Sequence, residues 1–358
     1  MTEFSCATKI ITGEGALSAL GQLKAERVLV VTDMYFSQNG TARRIGAMVP
    51  NAEVQVFDQV KPDPTVELAA AGAALCTKFC PQVLLALGGG SPIDCAKAIL
   101  AACESRPLFV AIPTTSGSGS EVTSFSVLTK GNVKIPLVDS SMRPDIAILD
   151  ASLLRSMPQK LLADTGMDLI AHSLEALAAK GRNPMSTALA SAALSAALRD
   201  LGASYAGDES KRQVIHDAAC MAGIAFDSAG LGVCHAVAHA LGARLHIPHG
   251  RLCAMLLPHV LTVNLEGAEA AYRHAALACG LTAPTGKIAV RSLSLAIGRL
   301  RSQLQMPASL REAGVDLLAL AGEKDGIVKS ALEDACCRGN PVPVTAQMVR
   351  QLLQAVCG

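Results

Sequence analysis

Two four-residue spacings of metal-binding side chains carry the clearest chemistry in this sequence. Asp168 and His172 stand four apart in Gly166-Met-Asp-Leu-Ile-Ala-His-Ser-Leu174. On a helix that spacing puts both side chains on one face. The flanking residues are apolar, so the face should be buried, and a buried carboxylate needs a partner such as a cation. His235 and His239 repeat the spacing in Val233-Cys-His-Ala-Val-Ala-His239. Gly242 is expected to interrupt that helix, and the return segment Arg244-Leu-His-Ile-Pro-His-Gly250 brings in His246 and His249. Asp168, His172, His235 and His249 would offer one oxygen and three imidazole nitrogens. That set suits Fe(II) or Zn(II), is poor for Mg(II) or Ca(II), and leaves coordination open for a substrate oxygen. A lone His pair on an apolar helix is more often structural than ligating; the clustering of one Asp with four His favours a metal. His216, His259 and His274 lack such partners and read as structural or solvated.

A second chemistry lies in Leu87-Gly-Gly-Gly-Ser-Pro-Ile-Asp94. A strand ends, and Gly88, Gly89 and Gly90 let the backbone turn tightly beside a ligand. Ser91 is expected as N-cap, Pro92 as the first helical residue and Asp94 at the third position, near the positive helix end. Strand, glycine turn and helix N-terminus together make an anion site suited to a pyrophosphate. The loop Pro113-Thr-Thr-Ser-Gly-Ser-Gly-Ser-Glu121 follows the next strand and could cradle the same ligand. Either loop alone is equally an ordinary strand-to-helix connection. Two at the ends of successive strands favour a ligand site. The G-x-G-x-x-G fingerprint is absent, so motif alone does not indicate a dinucleotide. Asp33, closing an early strand, is the better hint. A carboxylate there can bind ribose hydroxyls and repel a 2′-phosphate, although a surface turn Asp explains it as well.

The elements that must hold these residues fall into two halves. Val28–Val31, Val54–Phe57, Val83–Leu87, Leu108–Ile112 and Ile146–Leu149 read as short apolar strands. They alternate with helical patterns, one of them opened by Pro64 and running to Phe79, which predicts a doubly wound, mostly parallel α/β sheet buried on both faces. After Pro158 strand signals nearly vanish. Long Ala- and Leu-rich segments such as Thr187–Leu198 and Gln213–Phe226 carry a helical period. The expected organisation is an α/β domain over residues 1–157 and an all-α domain over residues 158–358.

Composition narrows the function classes. The 358 residues carry a formal net charge of +1 with no basic stripe, which argues against nucleic acid. No apolar stretch reaches the roughly 18 residues of a membrane span. The opening Met1-Thr-Glu-Phe-Ser5 lacks a secretory pattern, and the twelve dispersed cysteines read as reduced, buried thiols, so a cytoplasmic setting is expected.

With these motifs in place, the chain resembles the iron-containing (group III) alcohol dehydrogenase family. The resemblance rests on Gly88–Ser91, Pro113–Thr123, Thr165–Glu175, Gly230–His239 and Pro248-His-Gly250, and it spans nearly the whole chain. Within the family it looks closest to the propanol and ethanol dehydrogenases of bacterial microcompartments. The resemblance implies a nucleotide-binding domain, a helical domain and a cleft between them. It implies Asp168, His172, His235 and His249 as metal ligands and His239 as a proton-transfer residue near the nicotinamide. It implies cofactor contacts at Asp33, Gly88, Gly89, Gly90, Ser91, Thr114, Thr115, Ser118 and Lys134, and a substrate pocket lined by Phe125, Phe226 and Cys336. The implied cofactors are NAD(H) and Fe(II), with Zn(II) as the other candidate metal. Implied partners are a short-chain alcohol or aldehyde, a second copy in a homodimer or larger assembly, and a CoA-acylating aldehyde dehydrogenase or a microcompartment shell.

Three departures touch substrate choice. Asp227 follows Phe226 where a small polar residue is commoner, His246 adds an imidazole beside His249, and Val342 stands where Arg is frequent. The competing readings are a zinc polyol dehydrogenase of the same fold, a cyclase related to dehydroquinate synthases, and a non-catalytic metal-binding or scaffold protein. The cyclase would need a cationic pocket, and the segment from His235 to His249 offers only Arg244.

Overall fold

Val28–Val31 and Leu84–Leu87 have no polar side chain to offer water, and both become fully buried strand. The computed structural model describes residues 3–131 and 133–358; Met1 and Thr2 of the opening segment and Asn132 lie outside the described residues. Residues 6–157 form one compact unit. Its elements are β1 (Lys9–Thr12), β2 (Arg27–Asp33), α1 (Met34–Gln38), α2 (Thr41–Gly46), β3 (Glu53–Val60), α3 (Val66–Phe79), β4 (Val83–Gly88), α4 (Gly90–Ala102), β5 (Leu108–Pro113), β6 (Phe125–Lys130), β7 (Val133–Val138) and β8 (Ile146–Leu149).

Six strands form one sheet in the order β1-β8-β5-β4-β2-β3, all neighbours parallel. β6 and β7 make a separate antiparallel hairpin. Alternate residues feed different cores. Leu29, Val31, Leu84 and Ala86 join one apolar cluster, while Val28, Val30, Leu85 and Leu87 join the other. Each fully buried Leu, Ile or Val stabilises the unit by about 1.5–3 kcal/mol. The register pairs Val31 with Ala86 and Gly88 with Pro113, so β2, β4 and β5 deliver their following loops to the same edge of the sheet. α3 begins two residues later than Pro64 suggested: Thr65 is its N-cap, with Oγ1 accepting from Leu68 N at 3.2 Å.

Residues 158–358 form the second unit, in which every regular element among the described residues is helical. They comprise α5 (Gln159–Ala178), α6 (Pro184–Tyr205), α7 (Arg212–Ala229), α8 (Val233–Leu245), α9 (His249–Val263), α10 (Leu265–Ala278), α11 (Gly286–Gln303), α12 (Leu317–Glu333) and α13 (Ala346–Cys357). α5 is the central helix, packed by α6, α7 and α9. Two glycines allow this. A Cβ on Gly166 would stand 2.5 Å from Leu201, and one on Gly250 would collide with the Asp164 carbonyl. α9 therefore starts hard against α5. Gly242 does not interrupt α8. A glycine costs a helix only about 1 kcal/mol, and the helix continues to Leu245, ending where His246 takes the left-handed conformation at φ 53°. No single helix among the described residues is long and apolar enough to cross a membrane.

Candidate functional site

The helical unit gathers side chains from three helices. α5 brings Asp168, His172 and Glu175; α8 brings His235 and His239; α9 brings His249 and Cys253. Asp168 Oδ1 lies 3.7 Å from His235 Nε2 and 3.5 Å from His249 Nε2. Both Asp168 Oδ1 and His235 Nε2 are buried with no hydrogen-bond partner. Orphaned buried acceptors are costly unless something positive fills the space between them. With metal–ligand bonds of ~2.0–2.2 Å, tetrahedral neighbours stand about 3.4 Å apart. The observed separations match that spacing, so the residues fit a transition-metal cation.

A carboxylate behind His235 settles its tautomer. Glu175 Oε2 lies 2.6 Å from His235 Nδ1. The same carboxylate accepts from Gly232 N at 3.0 Å and Cys234 N at 2.7 Å, anchoring the start of α8. Nδ1–H donates to Glu175, and Nε2 is left to present its lone pair, as supported metal-ligating histidines do. Burial pushes His235 down, but the Asp168 and Glu175 carboxylates beside it outweigh this and hold the imidazole well above its ordinary range, so a cation at Nε2 would take the place of a proton there. Burial pushes Asp168 up, yet the charges of His172 and His249, with His235, draw it below the usual carboxylate range. His249 is pushed well down by burial. The pocket thus concentrates negative charge where a cation would sit. Glu175 carries no role in the sequence reading, although it stands seven residues after Asp168 on the same helix face.

Among the described residues, one set of ligand-type atoms within 4.8 Å of one another belongs to Asp168, His235, His249 and Cys253, and a second to His239, Asp334 and Cys336. His172, expected in the set, stands ring-on-ring with His235 at 4.5 Å between centroids, and with Phe226 at 4.3 Å. Phe226 thereby forms an apolar wall of the pocket. His239 stacks on His249 at 4.9 Å, and its Nδ1 lies 2.8 Å from Asp334 Oδ2. Burial raises Asp334, but its hydrogen bond to His239 outweighs this and draws the carboxyl below its usual range. Asp334 Oδ1 also accepts from Cys336 N at 2.8 Å, which places Cys336 beside His239. Asp334 is 95 residues from His239, and no spacing rule could have paired them. Val342 is spent on packing against Gly267, and its carbonyl accepts from Asn340. Phe125 opens β6 in the other unit, where its carbonyl accepts from Lys97.

The α/β unit offers a site made of backbone. Gly88 has φ 152°, and a Cβ there would run into Pro92. A Cβ on Gly89 would stand 3.1 Å from Thr115 Oγ1, and one on Gly90 would stand 3.2 Å from Ser118 Cβ. Thr114 N donates to Gly88 O at 3.0 Å. The two loops are thus dovetailed, and Gly88, Gly89, Gly90, Thr114, Thr115 and Ser118 are brought together. Ser91 is not the N-cap. α4 starts at Gly90 with Gly89 as cap and no side-chain acceptor at its end, because glycine lets the helix begin earlier. Asp94 accordingly falls deeper in α4. Its carboxylate accepts from Ser120 Oγ at 2.5 Å and Val127 N at 3.0 Å rather than facing the helix end. A glycine-lined turn at an uncapped helix start suits a pyrophosphate. Asp33 closes β2, next to β4, and caps α1 by accepting from Phe36 N at 3.2 Å. Lys134, on β7, pairs with Asp63 at 2.8 Å.

A buried polar knot supports the turn, and the sequence reading missed it. Lys97 is fully buried and donates to Ser120 Oγ at 3.0 Å, Thr123 Oγ1 at 3.0 Å and Phe125 O at 2.8 Å. Burial pushes Glu121 up to about 7, although the Lys97 charge pulls it back.

Comparisons with known proteins agree with this picture. A family model described as iron-containing alcohol dehydrogenase matches residues 7–151. Another, described as the C-terminal part of the Fe-containing alcohol dehydrogenase family, matches residues 162–357. The chain is 34% identical to the NADPH-dependent butanol dehydrogenase of Clostridium saccharobutylicum, covering 99% of this chain and 98% of that one. It is 34% identical to the 1-propanol dehydrogenase of Salmonella typhimurium, covering 99% of each. The solved iron-containing alcohol dehydrogenase of Thermococcus thioreducens superposes with a TM-score of 0.92 at 32% identity, over 99% of each chain.

Proposed function

The chain belongs to the iron-containing alcohol dehydrogenase family of NAD(P)-dependent oxidoreductases, and from that premise we propose that it uses NAD(H) and Fe(II) to interconvert a short-chain alcohol and its aldehyde, reducing propionaldehyde or acetaldehyde. The observation that carries this reading is the pair of orphaned buried atoms, Asp168 Oδ1 and His235 Nε2, 3.7 Å apart with His249 at hand.

Asp168, His235 and His249, with His172 beside them, would hold the cation. Bound there it supplies Lewis acidity toward the substrate oxygen, while NAD(H) supplies the hydride exchange. Glu175 keeps His235 in the tautomer that offers Nε2. Asp334 holds His239 by Nδ1, which turns Nε2 into the position that exchanges the alcohol proton with solvent. An imidazole, with one nitrogen that accepts a proton and one that donates, suits that relay. Phe226, stacked on His172, excludes water and favours a small apolar substrate. Gly88 to Gly90 offer backbone N–H groups to the pyrophosphate, and Thr114, Thr115 and Ser118 add theirs from the second loop. Asp33 favours NAD(H), because its carboxylate takes ribose hydroxyls and repels a 2′-phosphate. Ser91 and Lys134 complete the proposed cofactor contacts, and Phe125 and Cys336 the proposed substrate pocket. Arg244 is turned to Glu323 and Ser330, which leaves it poorly placed to receive a phosphorylated substrate. The resemblance to microcompartment enzymes extends the proposal to a homodimer or larger assembly, with a CoA-acylating aldehyde dehydrogenase as the source of aldehyde.

The experiment follows NADH and NADPH oxidation with propionaldehyde and acetaldehyde in Fe(II)-loaded protein. The reading expects turnover with NADH well above that with NADPH. Fe(II)-loaded protein that binds NADH yet reduces neither aldehyde would contradict it.

A further inference from the structure

We propose that Cys76 and Cys103 form a reversible oxidation site in the α/β unit, where peroxide joins the two thiols in a disulfide that ties α3 to α4. No residue given a role above belongs to this pair. Both thiols are free in the structure. Cys76 is buried in the last turn of α3, and half-buried Cys103 caps the end of α4. Cys103 Sγ lies 2.7 Å from Cys76 Sγ. Even two non-bonded carbon atoms sit about 3.5–4.0 Å apart, and sulfur is the larger atom. An S–S bond is ~2.03–2.05 Å, so a small approach completes it. The helices come this close for a reason legible in their packing. A Cβ on Gly72 would collide with Ile99, so only glycine lets α3 lie against α4 at that level. Four residues further along each helix, on the same faces, Cys76 meets Cys103.

Burial holds the Cys76 thiol above the usual thiol range, which leaves Cys103 as the group that meets peroxide first. Cys103 Sγ attacks one peroxide oxygen. The O–O bond breaks, Cys103 becomes a sulfenic acid and one water leaves. Cys76 Sγ, already in contact, then attacks the Cys103 sulfur. The S–S bond forms, the S–O bond breaks, and the Cys76 proton leaves with the hydroxyl as a second water. The thiols give up the electron pair that peroxide takes. Contact offsets the low thiolate fraction of Cys76, as proximity does in intramolecular reactions. Cys80, exposed and four residues past Cys76, is the competing partner, but its Sγ donates to Thr77 O at 2.9 Å. The disulfide links residues 27 apart in sequence and stabilises the unit by constraining its unfolded chain.

Hydrogen peroxide added to the full-length protein loaded with Zn(II), so that no Fe(II) consumes the oxidant, tests this without relying on activity. Peptide mapping without reduction should find Cys76 joined to Cys103, and dithiothreitol should return both thiols. The apparent melting midpoint should rise by about 5–10 °C on oxidation and fall back on reduction. Cys80→Ser should keep the cross-link and the rise. Cys76→Ser should lose both and leave a Cys103 sulfenic acid that dimedone traps. A disulfide to Cys80 in the wild-type protein would overturn the pairing. Cys103 driven to sulfinic acid with Cys76 still reduced would overturn it too. So would peroxide that leaves both thiols free, a result read in the wild-type protein whether or not a variant folds.

Discussion

The two candidate sites are built from different materials. The nucleotide turn of the α/β unit is made of backbone: Gly88, Gly89 and Gly90 are there because a Cβ would strike Pro92, Thr115 or Ser118. The metal pocket of the helical unit is made of side chains, and its most telling atoms are two buried ones without hydrogen-bond partners. A backbone site fails when something is added to it. A side-chain site fails when something is removed. Substitutions should therefore break the two independently, and in opposite ways.

The largest effect is expected at Asp168. Asp168→Ala removes the anionic corner, so metal content should fall and turnover should drop by about 10³-fold or more, the scale of several kcal/mol of Lewis-acid stabilisation. NADH binding, measured by fluorescence, should persist; if it is lost as well, the two sites are not independent. His239→Ala should lower turnover by about 10²-fold with metal content intact, since it removes only the proton relay. Loss of metal in that variant would make His239 a ligand. Glu175→Gln should weaken metal affinity by roughly 10–100-fold through His235, which a competition titration with a chelator would read.

What the sequence could disclose follows the same division. The pairs Asp168 with His172 and His235 with His239 were legible because helical spacing places side chains on faces without knowledge of the fold. Asp334 was not, because its pairing with His239 exists only after distant helices pack. The glycine turn was visible as composition, yet Ser91 as its cap was wrong, because glycine lets a helix begin where propensity does not mark a start. In the fold, the apolar runs within β2, β4 and β5 announced themselves. β1 is four residues with little buried side chain, and β7 holds Lys134 and Pro136, so neither carries a strong pattern.

The smaller effects sharpen the backbone side of the comparison. Gly88→Ala should weaken NADH about tenfold, through an adverse positive φ and the crowding of Pro92, while metal content stays unchanged. A variant with normal NADH affinity would move the pyrophosphate elsewhere. Glu121 tests the buried knot beneath the turn. Its folded pKa of about 7 stands above the ordinary 4.5. Between those values the folded chain holds a proton that the unfolded chain has released. Stability therefore falls as pH rises through that window, and the deficit is complete above about pH 7. Glu121→Gln should flatten that slope and raise stability at pH 8 by at most about 3 kcal/mol, read from urea unfolding at pH 5 and pH 8. An unchanged slope would place the titrating group elsewhere.

The central claim is that the Asp168–His235–His249 pocket holds the metal on which aldehyde reduction depends. Anaerobic titration of metal-stripped protein with Fe(II), following NADH oxidation by propionaldehyde, tests it most directly. Turnover should rise from near zero, level off at one Fe(II) per chain, and stay flat in Asp168→Ala. Full turnover in the stripped protein, or the same rise in Asp168→Ala, would contradict it.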